Sequence, residues 1–269
     1  MLTSNNNTSA NIHEPSADNN GVMLGILLAI LAGFLFVSSD TVVKLARQEL
    51  PVAMVVWGRF TVHFLLMLVL FPGKKINKLF KVNNFKLVIF RGILLLLCTC
   101  LFFTAIGYIG LAEANSIMFI SPFFVVALSI PLLKEKVGVR RWSAVIIGFI
   151  GIVIILRPGF QEIHWAYFLI IGVAFFFALF TILTRTLSFT ETAISMWFYT
   201  ALVGMVGSSA IVWYYWQTPT LSQSLMLLFI GAIGGGSHYI VIKAYQRAPA
   251  SMLAPFQYFQ IIWATIYGL

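Results

Sequence analysis

A long stretch without charge limits this chain more than any other feature of its sequence. No Asp, Glu, Lys or Arg occurs between Thr192 and Ile242, and the polar sequence Gln217–Thr220 is the main break in its hydrophobicity. An α-helix needs about 20 apolar residues to cross a bilayer. The stretch therefore predicts two transmembrane helices joined by a tight turn, and the chain is predicted to be an integral membrane protein surrounded by a lipid bilayer.

The overall composition agrees with this prediction. The chain is 60% hydrophobic and 9% charged, with a mean hydropathy of +0.96, whereas soluble domains carry about 25% charged residues. A net charge of +9 would suggest nucleic acid as the partner of a soluble protein. In a membrane protein it indicates basic cytoplasmic loops instead, so no nucleic-acid partner is predicted.

Charged residues and turn residues divide the chain into nine hydrophobic segments. Segment five, between Arg141 and Arg157, is short, and Arg59 interrupts segment two. The pattern predicts an all-α, polytopic membrane protein with nine visible transmembrane helices. The nine segments cover residues 22–43, 52–71, 87–108, 112–132, 142–156, 165–184, 193–215, 222–243 and 251–269.

Basic residues are concentrated in the connections after segments two and four. The positive-inside rule places these connections in the cytoplasm, and the N-terminus then lies in the cytoplasm as well. Residues 1–21 are polar and lack the basic start of a signal peptide, so we predict a disordered cytoplasmic tail. The basic residues of the two connections are Lys74, Lys75, Lys78, Lys81 and Lys86, then Lys134, Lys136, Arg140 and Arg141.

The two halves of the chain contain similar sequences in the same order. The start of segment four, from Ala112 to Pro122, resembles the start of segment nine, from Ala248 to Tyr258, and a similar spacing relates Trp57 to Trp197. A unit of five spans is odd, so two successive units have opposite orientations, as in many secondary transporters. We expect a first repeat at 22–158 and a second at 163–269. Because the apolar run is still continuing at Leu269, we also expect a tenth helix beyond it.

Several motifs at these positions resemble a known family. They are Ala112-Glu113-Ala114, Ser121-Pro122, Leu132-Leu133-Lys134-Glu135, Arg141-Trp142, Gly148-Phe149-Ile150-Gly151, Leu156-Arg157-Pro158-Gly159 and Tyr245-Gln246-Arg247-Ala248-Pro249-Ala250-Ser251, followed by Pro255, Tyr258 and Trp263. With them the chain is similar to EamA-domain transporters of the drug/metabolite transporter superfamily. The visible sequence departs from that pattern by lacking the tenth helix and the second glutamate turn.

The resemblance implies a fold, a location and an activity. It implies ten helices in two inverted five-helix halves, with both termini in the cytoplasm, and a central cavity lined by segments one, three, four, six, eight and nine. Such proteins move amino acids, nucleosides, vitamins or other metabolites across the bacterial inner membrane.

No motif of an enzyme is present. The sequence contains no Gly-x-Ser-x-Gly, no His-Glu-x-x-His and no phosphate-binding loop, and neither a metal site nor a cofactor is predicted. Gly231, Gly234, Gly235 and Gly236 lie in an apolar helix, where small residues favour close helix packing. Cys98 and Cys100 are interpreted as small packing residues.

Ionisable residues inside transmembrane segments are costly and are therefore the first candidates for function. Asp40 and Lys44 lie one turn apart on segment one, as do Arg59 and His63 on segment two. They indicate either an outward vestibule for a charged substrate or an ion pair among Asp40, Lys44 and Arg59. On the cytoplasmic side, Arg91, His238 and Tyr239 are open to two interpretations: substrate contacts, or interfacial anchors and a packing histidine.

Helix ends and prolines supply further candidates. Glu113 begins segment four, and Glu135 after it suggests a cytoplasmic turn or gate. Pro122 and Pro255 predict packed kinks or interrupted helices beside the substrate path. All candidates for substrate binding or coupling are Asp40, Lys44, Trp57, Arg59, His63, Arg91, Glu113, His238, Tyr239, Gln257 and Tyr258; those for a kink or gate are Pro122, Glu135 and Pro255.

Together these features favour a secondary transporter for a small organic metabolite that is amino-acid-, nucleoside- or vitamin-like, working by alternating access in the bacterial inner membrane. A passive channel, an inactive fragment of such a transporter and, with less support, a membrane-embedded lipid enzyme are the alternatives. Proton coupling through Asp40, Glu113 or His238 stays open, and so does a homodimer.

Overall fold

The computed structural model describes residues 19–71, 77–156 and 164–267, and the regular structure in these ranges is helical throughout. The predicted all-α membrane fold is therefore confirmed. Most of the predicted tail lies outside the described residues, as do Lys74, Lys75, the Arg157-Pro158-Gly159 motif and Leu269.

Twelve α-helices occur in the described ranges, and two 3₁₀ stretches extend or join them. The first 3₁₀ stretch, Trp213–Tyr215, prolongs α9, and the second, Ala254–Phe259, joins α11 to α12. The helices are α1 (Asn19–Glu49), α2 (Val52–Leu70), α3 (Asn77–Phe80), α4 (Phe85–Ala105), α5 (Leu111–Met118), α6 (Ser121–Leu133), α7 (Val139–Leu156), α8 (Ala166–Leu187), α9 (Ala193–Val212), α10 (Leu221–Tyr245), α11 (Ala250–Leu253) and α12 (Gln260–Ile266).

Seven helical stretches in the described part of the chain are long and apolar enough to cross a membrane. They correspond to predicted segments one to four and six to eight, and segments five and nine correspond to α7 and to the α11–α12 region. The helices extend beyond the apolar segments: α1 runs from Asn19 to Glu49 rather than from 22 to 43. Hydropathy marks only the apolar part of a helix, whereas polar residues at its ends continue the same hydrogen-bonded backbone into the interface.

Segments four and nine are both interrupted, as their prolines predict. Segment four divides into α5 and α6, with Pro122 in the first turn of α6. Segment nine passes from α11 into a 3₁₀ stretch that contains Pro255 near its start. Proline has no backbone N–H to donate to the preceding turn, so the α-helical hydrogen bonding is broken at these two positions.

The two ends of the bundle differ in charge. One end, here called the basic end, carries the connections that contain Lys81 and Lys134; the other, the far end, carries the connections around Pro51 and Thr218. At the basic end the Glu191 carboxylate accepts from the backbone N–H groups of Asn83 and Asn84 at 2.6–3.0 Å, which joins the connection after segment two to the one after segment six.

Helix α10 packs closely against α1 and α2, and its glycines explain how. A Cβ atom added at Gly231 would lie 2.4 Å from Val62 Cβ, and one at Gly235 would lie 2.7 Å from His63 Cγ. The predicted packing role is confirmed at these two positions, while Gly236 has open space beside it. The close approach holds the polar residues of α2 against α10 in the middle of the bundle.

Candidate functional site

A cavity of about 120 Å³ lies inside the bundle. By this measure one water molecule needs about 10–15 Å³, so the cavity has room for on the order of ten. Its walls come from all six segments that the family resemblance implied, and Arg59 adds segment two to them. Its polar lining residues are Asp40, Arg59, Thr99, Asn115, Ser121, His238, Gln257 and Gln260.

Asp40 presents its carboxylate to this cavity. The residue is half-buried on α1, and within the described ranges the carboxylate makes neither a hydrogen bond nor an ion pair. A carboxylate at such a depth is costly unless it is paired or hydrated. Asp40 is therefore a candidate for contact with a solute inside the cavity.

Arg59 lies on the cavity wall and is held by its neighbours. It is buried, its Nη2 donates to Nε2 of His238 at 3.2 Å, and its guanidinium carbon lies 5.6 Å from the ring centre of Phe103. Gly234 leaves room for it, since a Cβ there would lie 3.4 Å from Arg59 Nε. No nitrogen of Arg59 lies within 4.0 Å of an Asp40 carboxylate oxygen, so the predicted ion pair between these two residues is not formed.

His238 is buried between aromatic rings, 4.9 Å from the Phe36 centroid and 5.8 Å from that of Phe180. Because Arg59 has only donors, Nε2 of His238 accepts, and the ring is neutral with its proton on Nδ1. Nδ1 is buried and has no partner among the described residues. His238 therefore orients the guanidinium of Arg59 and adds no positive charge of its own.

The remaining wall is mainly aromatic. Five phenylalanines surround the polar groups, together with Leu95, Met118 and Val173. Aromatic faces accommodate apolar bodies and cations, so the cavity combines two opposite charges with an apolar surface. The five are Phe36, Phe102, Phe103, Phe119 and Phe177.

Several predicted site residues lie away from the cavity. Lys44 is exposed on α1. The Trp57 indole N–H donates to Ser209 Oγ at 3.1 Å, near the far end. Glu113 accepts from the backbone N–H of Gly110 at 3.2 Å and thus caps its own helix, which agrees with its predicted place at a helix start.

His63 and Tyr239 belong to an aromatic cluster between α2, α9 and α10. The rings of His63 and Tyr239 lie 5.1 Å and 5.0 Å from that of Trp197, whose N–H donates to the carbonyl of Gly235 at 2.6 Å. Lys243 Nζ lies 5.7 Å from the Tyr239 ring centre. These contacts are typical of packing between helices, although Nε2 of His63 is buried without a partner among the described residues.

Arg91 is completely buried between α4, α8 and α9. Its guanidinium donates to Oγ1 of Thr184 at 2.7 Å, to Oγ1 of Thr200 at 2.6 Å and to the carbonyl of Met196 at 3.3 Å, and it stacks on Phe180 at 4.4 Å. The interfacial anchor, one of the two interpretations left open for Arg91, is therefore not observed. Arg91 joins three helices, and the Phe180 ring on which it stacks also lies 5.8 Å from the His238 ring, measured between centroids.

Glu135 connects the two halves of the chain at the basic end. Lys134 has a left-handed φ of 55°, and the turn that it makes at the end of α6 carries Glu135 to the start of α11. The carboxylate accepts from the N–H groups of Ala250 and Ser251 at 3.0 and 3.1 Å and from the Ser251 hydroxyl. Arg141 donates to the same hydroxyl at 2.7 Å. We call Glu135, Arg141, Ala250 and Ser251 the basic-end latch.

A second contact joins α7 to segment nine. The Tyr258 hydroxyl donates to the carbonyl of Val145 at 3.1 Å, while the neighbouring Gln257 lines the cavity. Of the candidates derived from the sequence, Asp40, Arg59, His238 and Gln257 thus lie together on one cavity. Their roles there remain predictions.

Sequence reasoning left four polar lining residues out of its candidates: Thr99, Asn115, Ser121 and Gln260. Small hydroxyl and amide side chains are common between packed transmembrane helices, so their residue types do not mark a site. The available signal was position, because Asn115 and Ser121 flank the helix interruption that Pro122 predicts.

Comparison with known proteins identifies the family. The model of the EamA-like transporter family matches residues 23–157, which is half of the chain. The chain belongs to the EamA-like transporter family. Named members of this kind are transporters and not enzymes.

Among similar proteins, a Rickettsia bellii S-adenosylmethionine uptake transporter is 30% identical over 178 residues, covering 66% of this chain and 61% of that relative. A riboflavin transporter from Vibrio cholerae is 28% identical over 239 residues, covering 87% and 80%. A solved crystal structure matches this chain with a TM-score of 0.74 at 16% identity, and the match covers 92% of this chain and 86% of the other; this likeness concerns the fold alone.

Proposed function

We propose that this chain is a secondary transporter that carries a small organic metabolite across the bacterial inner membrane by alternating access. The central cavity carries the proposal, because residues from both predicted repeats line it and opposite charges face it without pairing. An unpaired buried charge is retained at a cost and marks a substrate path by default.

The orientation follows from the distribution of Lys and Arg. We place the basic end and the N-terminus in the cytoplasm. The basic-end latch would then hold the cytoplasmic side of the cavity closed in this conformation. The latch joins the connection between segments four and five in the first predicted repeat to the start of segment nine in the second, and two inverted halves that rock against each other must separate at such contacts.

The substrate is proposed only as a class: amino-acid-, nucleoside- or vitamin-like. The names of the relatives differ, since one concerns S-adenosylmethionine and another riboflavin. Their shared family supports transport, and the lining of this chain's own cavity must provide the selectivity.

Counterflow in proteoliposomes tests this proposal. Vesicles with the purified protein are loaded with unlabelled S-adenosylmethionine, riboflavin or a mixture of amino acids, and entry of the labelled solute is followed. A transporter gives saturable uptake that the internal solute accelerates. A passive channel would give uptake that internal solute does not accelerate, and that result would refute alternating access. Repeating the assay with an imposed pH gradient shows whether protons are coupled.

A further inference from the structure

We propose that Arg47 and Gly107 form a gate that covers the central cavity at the far end and opens when the Arg47 side chain rotates away. We call these two residues the far-end gate. The inference rests on the proposed function, because a solute that crosses by alternating access must pass this end of the cavity. It adds the side chain that controls the passage.

Arg47 lies just beyond the cavity, on the helix that carries Asp40. Residues seven apart on an α-helix share a face and lie about 10 Å apart along its axis, so Arg47 projects on the same side of α1 as Asp40, two turns nearer the far end. Phe103 of α4 lines the same cavity as Asp40, and Gly107 follows it by four positions, just after α4 ends. A contact between Arg47 and Gly107 therefore joins two walls of the cavity at the far end, and α1 and α4 have few other contacts with each other.

Gly107 provides the space that the guanidinium of Arg47 occupies. A Cβ atom added at Gly107 would lie 2.7 Å from Nη2 of Arg47 and 3.9 Å from its Cζ, whereas Cβ atoms in proteins essentially never come within 3.0 Å of another group. The carbonyl oxygen of Thr104 would lie at 3.2 Å, so a shift of a few tenths of an ångström is needed there. The larger displacement falls on the end of a flexible side chain, so alanine at this position should move the guanidinium and leave the fold intact.

The gate closes on a support that is held in place. Tyr108, next to Gly107, has its ring centroid 4.8 Å from that of Trp165 and 6.1 Å from that of His164, in the connection before α8. Arg47 also interacts electrostatically with Tyr108. The end of α4 is thus anchored to the next connection at the far end, and Arg47 is the part that moves.

Arg47 itself is held weakly. Its Nη1 donates to the carbonyl of Leu50 at 3.4 Å, which is long for such a hydrogen bond. Its Nε is buried without a partner, and no carboxylate oxygen lies within 4.0 Å of it in the described ranges. Rotation into water would hydrate Nε and break only one long hydrogen bond, whereas the basic-end latch holds Glu135 by three. The far end therefore opens more readily than the basic end in this conformation.

The basic end contains an equivalent arrangement. Arg185, in the last turn of α8, donates to the carbonyl of Tyr245 at the end of α10 at 2.5 Å, and the Ser188 hydroxyl donates to the same carbonyl at 3.3 Å. Helices α1 and α8 are the first transmembrane helices of the two predicted repeats, and α4 and α10 are the third. In both repeats an arginine in the last turn of the first helix thus reaches the end of the third, at opposite ends of the bundle. The arginine at the basic end is firmly bonded and the one at the far end is not, which fits a conformation that is closed at the basic end.

Thiol labelling from the far side tests the gate. The Cys100→Ser change leaves Cys98, which lines the cavity, as the single thiol of the chain. In vesicles of known orientation, a cationic and an anionic methanethiosulfonate reagent of similar size are added separately at the far side. Arg47→Ala should raise the rate of Cys98 modification about tenfold with both reagents, because the blocking side chain is gone and the loss corresponds to about one hydrogen bond from a charged group. An unchanged rate refutes the gate, and so does a rise with the cationic reagent together with a fall with the anionic one, since Arg47 would then act through its charge alone.

The glycine supplies a second, independent variant. Gly107→Ala should displace the guanidinium and raise the rate by a similar factor, and it should add nothing in the Arg47→Ala background. Lys44→Ala removes an exposed cation from the same helix, and Gly172→Ala adds a methyl group where there is open space, so both should leave the rate unchanged. Unfolding temperatures close to that of the unmodified protein confirm that the variants are folded. An unchanged rate in folded Gly107→Ala, or a further rise in the double variant, would show that the glycine does not act through Arg47.

The gate and transport fail separately in these experiments, because labelling needs no solute. Unchanged labelling in Arg47→Ala, with saturable and accelerated exchange in the unmodified protein, would refute the gate and leave the transporter proposal intact. Faster labelling with both reagents in a protein that shows no accelerated exchange would support the gate and refute transport.

Discussion

Removal of Glu135 should open the basic end of the cavity. The carboxylate accepts three hydrogen bonds, from the N–H groups of Ala250 and Ser251 and from the Ser251 hydroxyl. It is half-buried, so we take about 1 kcal/mol for each bond, below the usual range for bonds to a charged group. The Glu135→Ala change then costs the closed arrangement about 3 kcal/mol, which lowers the ratio of closed to open protein roughly 150-fold.

The chain contains its own reporter for this change. Cys98 lines the cavity and is buried, and replacing Cys100 with Ser leaves it as the single thiol. In vesicles of known orientation, an impermeant thiol reagent is added at the basic side and the rate of Cys98 modification is measured. We expect the Glu135→Ala variant to react faster by one to two orders of magnitude.

Two controls define what would refute the reasoning. Glu49→Ala removes an exposed carboxylate at the far end and should leave the rate unchanged. An unchanged rate in Glu135→Ala would show that the latch does not close the cavity. If the rate of Cys98 modification rises only when the reagent is added at the far side, the change has opened the far end and not the basic end, and the reasoning is refuted.

Three further predictions concern topology and packing. Cysteines at Lys136 and Thr218 should react with an impermeant reagent from opposite sides of intact cells, only Thr218 from outside; labelling of Lys136 from outside would reverse the proposed orientation. Gly235→Ala should lower the free energy of unfolding by about 1–3 kcal/mol through overpacking. Gly236→Ala has open space beside it and should be neutral or slightly stabilising in the same thermal unfolding assay. Equal effects of the two substitutions would contradict the close packing at Gly235. Arg91→Lys keeps the charge but loses the planar guanidinium that joins three helices, so the unfolding temperature of this variant should fall. An unchanged unfolding temperature would show that these hydrogen bonds do not stabilise the fold.

The sequence predicted the elements of this fold well and the contacts between them poorly. Charge-free runs identify transmembrane helices because lipid requires both apolarity and a fixed length, and the prolines at 122 and 255 identified the two interrupted segments because they lack an N–H. Helix ends were misplaced where polar residues continue a helix into the interface, as at Glu49.

The candidate site was predicted in part for an equally physical reason. Asp40, Arg59 and His238 were found because a charged or titratable group inside a membrane stands out from its surroundings. Rotation about the helix axis decides whether such a residue faces a cavity, and periodicity is weak in helices that are apolar on every side. Arg91 illustrates this, since the same reasoning left it open between a substrate contact and an interfacial anchor, while tertiary packing buries it completely between three helices.

The interruption between α5 and α6 gives the bundle a hinge about which α6 can rotate. Helix α6 has 13 residues and is therefore about 20 Å long, so a rotation of about 10° at its start moves its far tip by roughly 3 Å. Glu135 lies just beyond that tip, and Ser121 on the cavity wall lies at the pivot. Because Pro122 has no N–H to donate across the interruption, fewer backbone hydrogen bonds resist bending there than inside a continuous helix, and spin labels on α5 and α6 should report two angles while each half stays rigid. Ser121, which lines the cavity, would then also lie at the hinge of the movement that opens the cavity at the basic end.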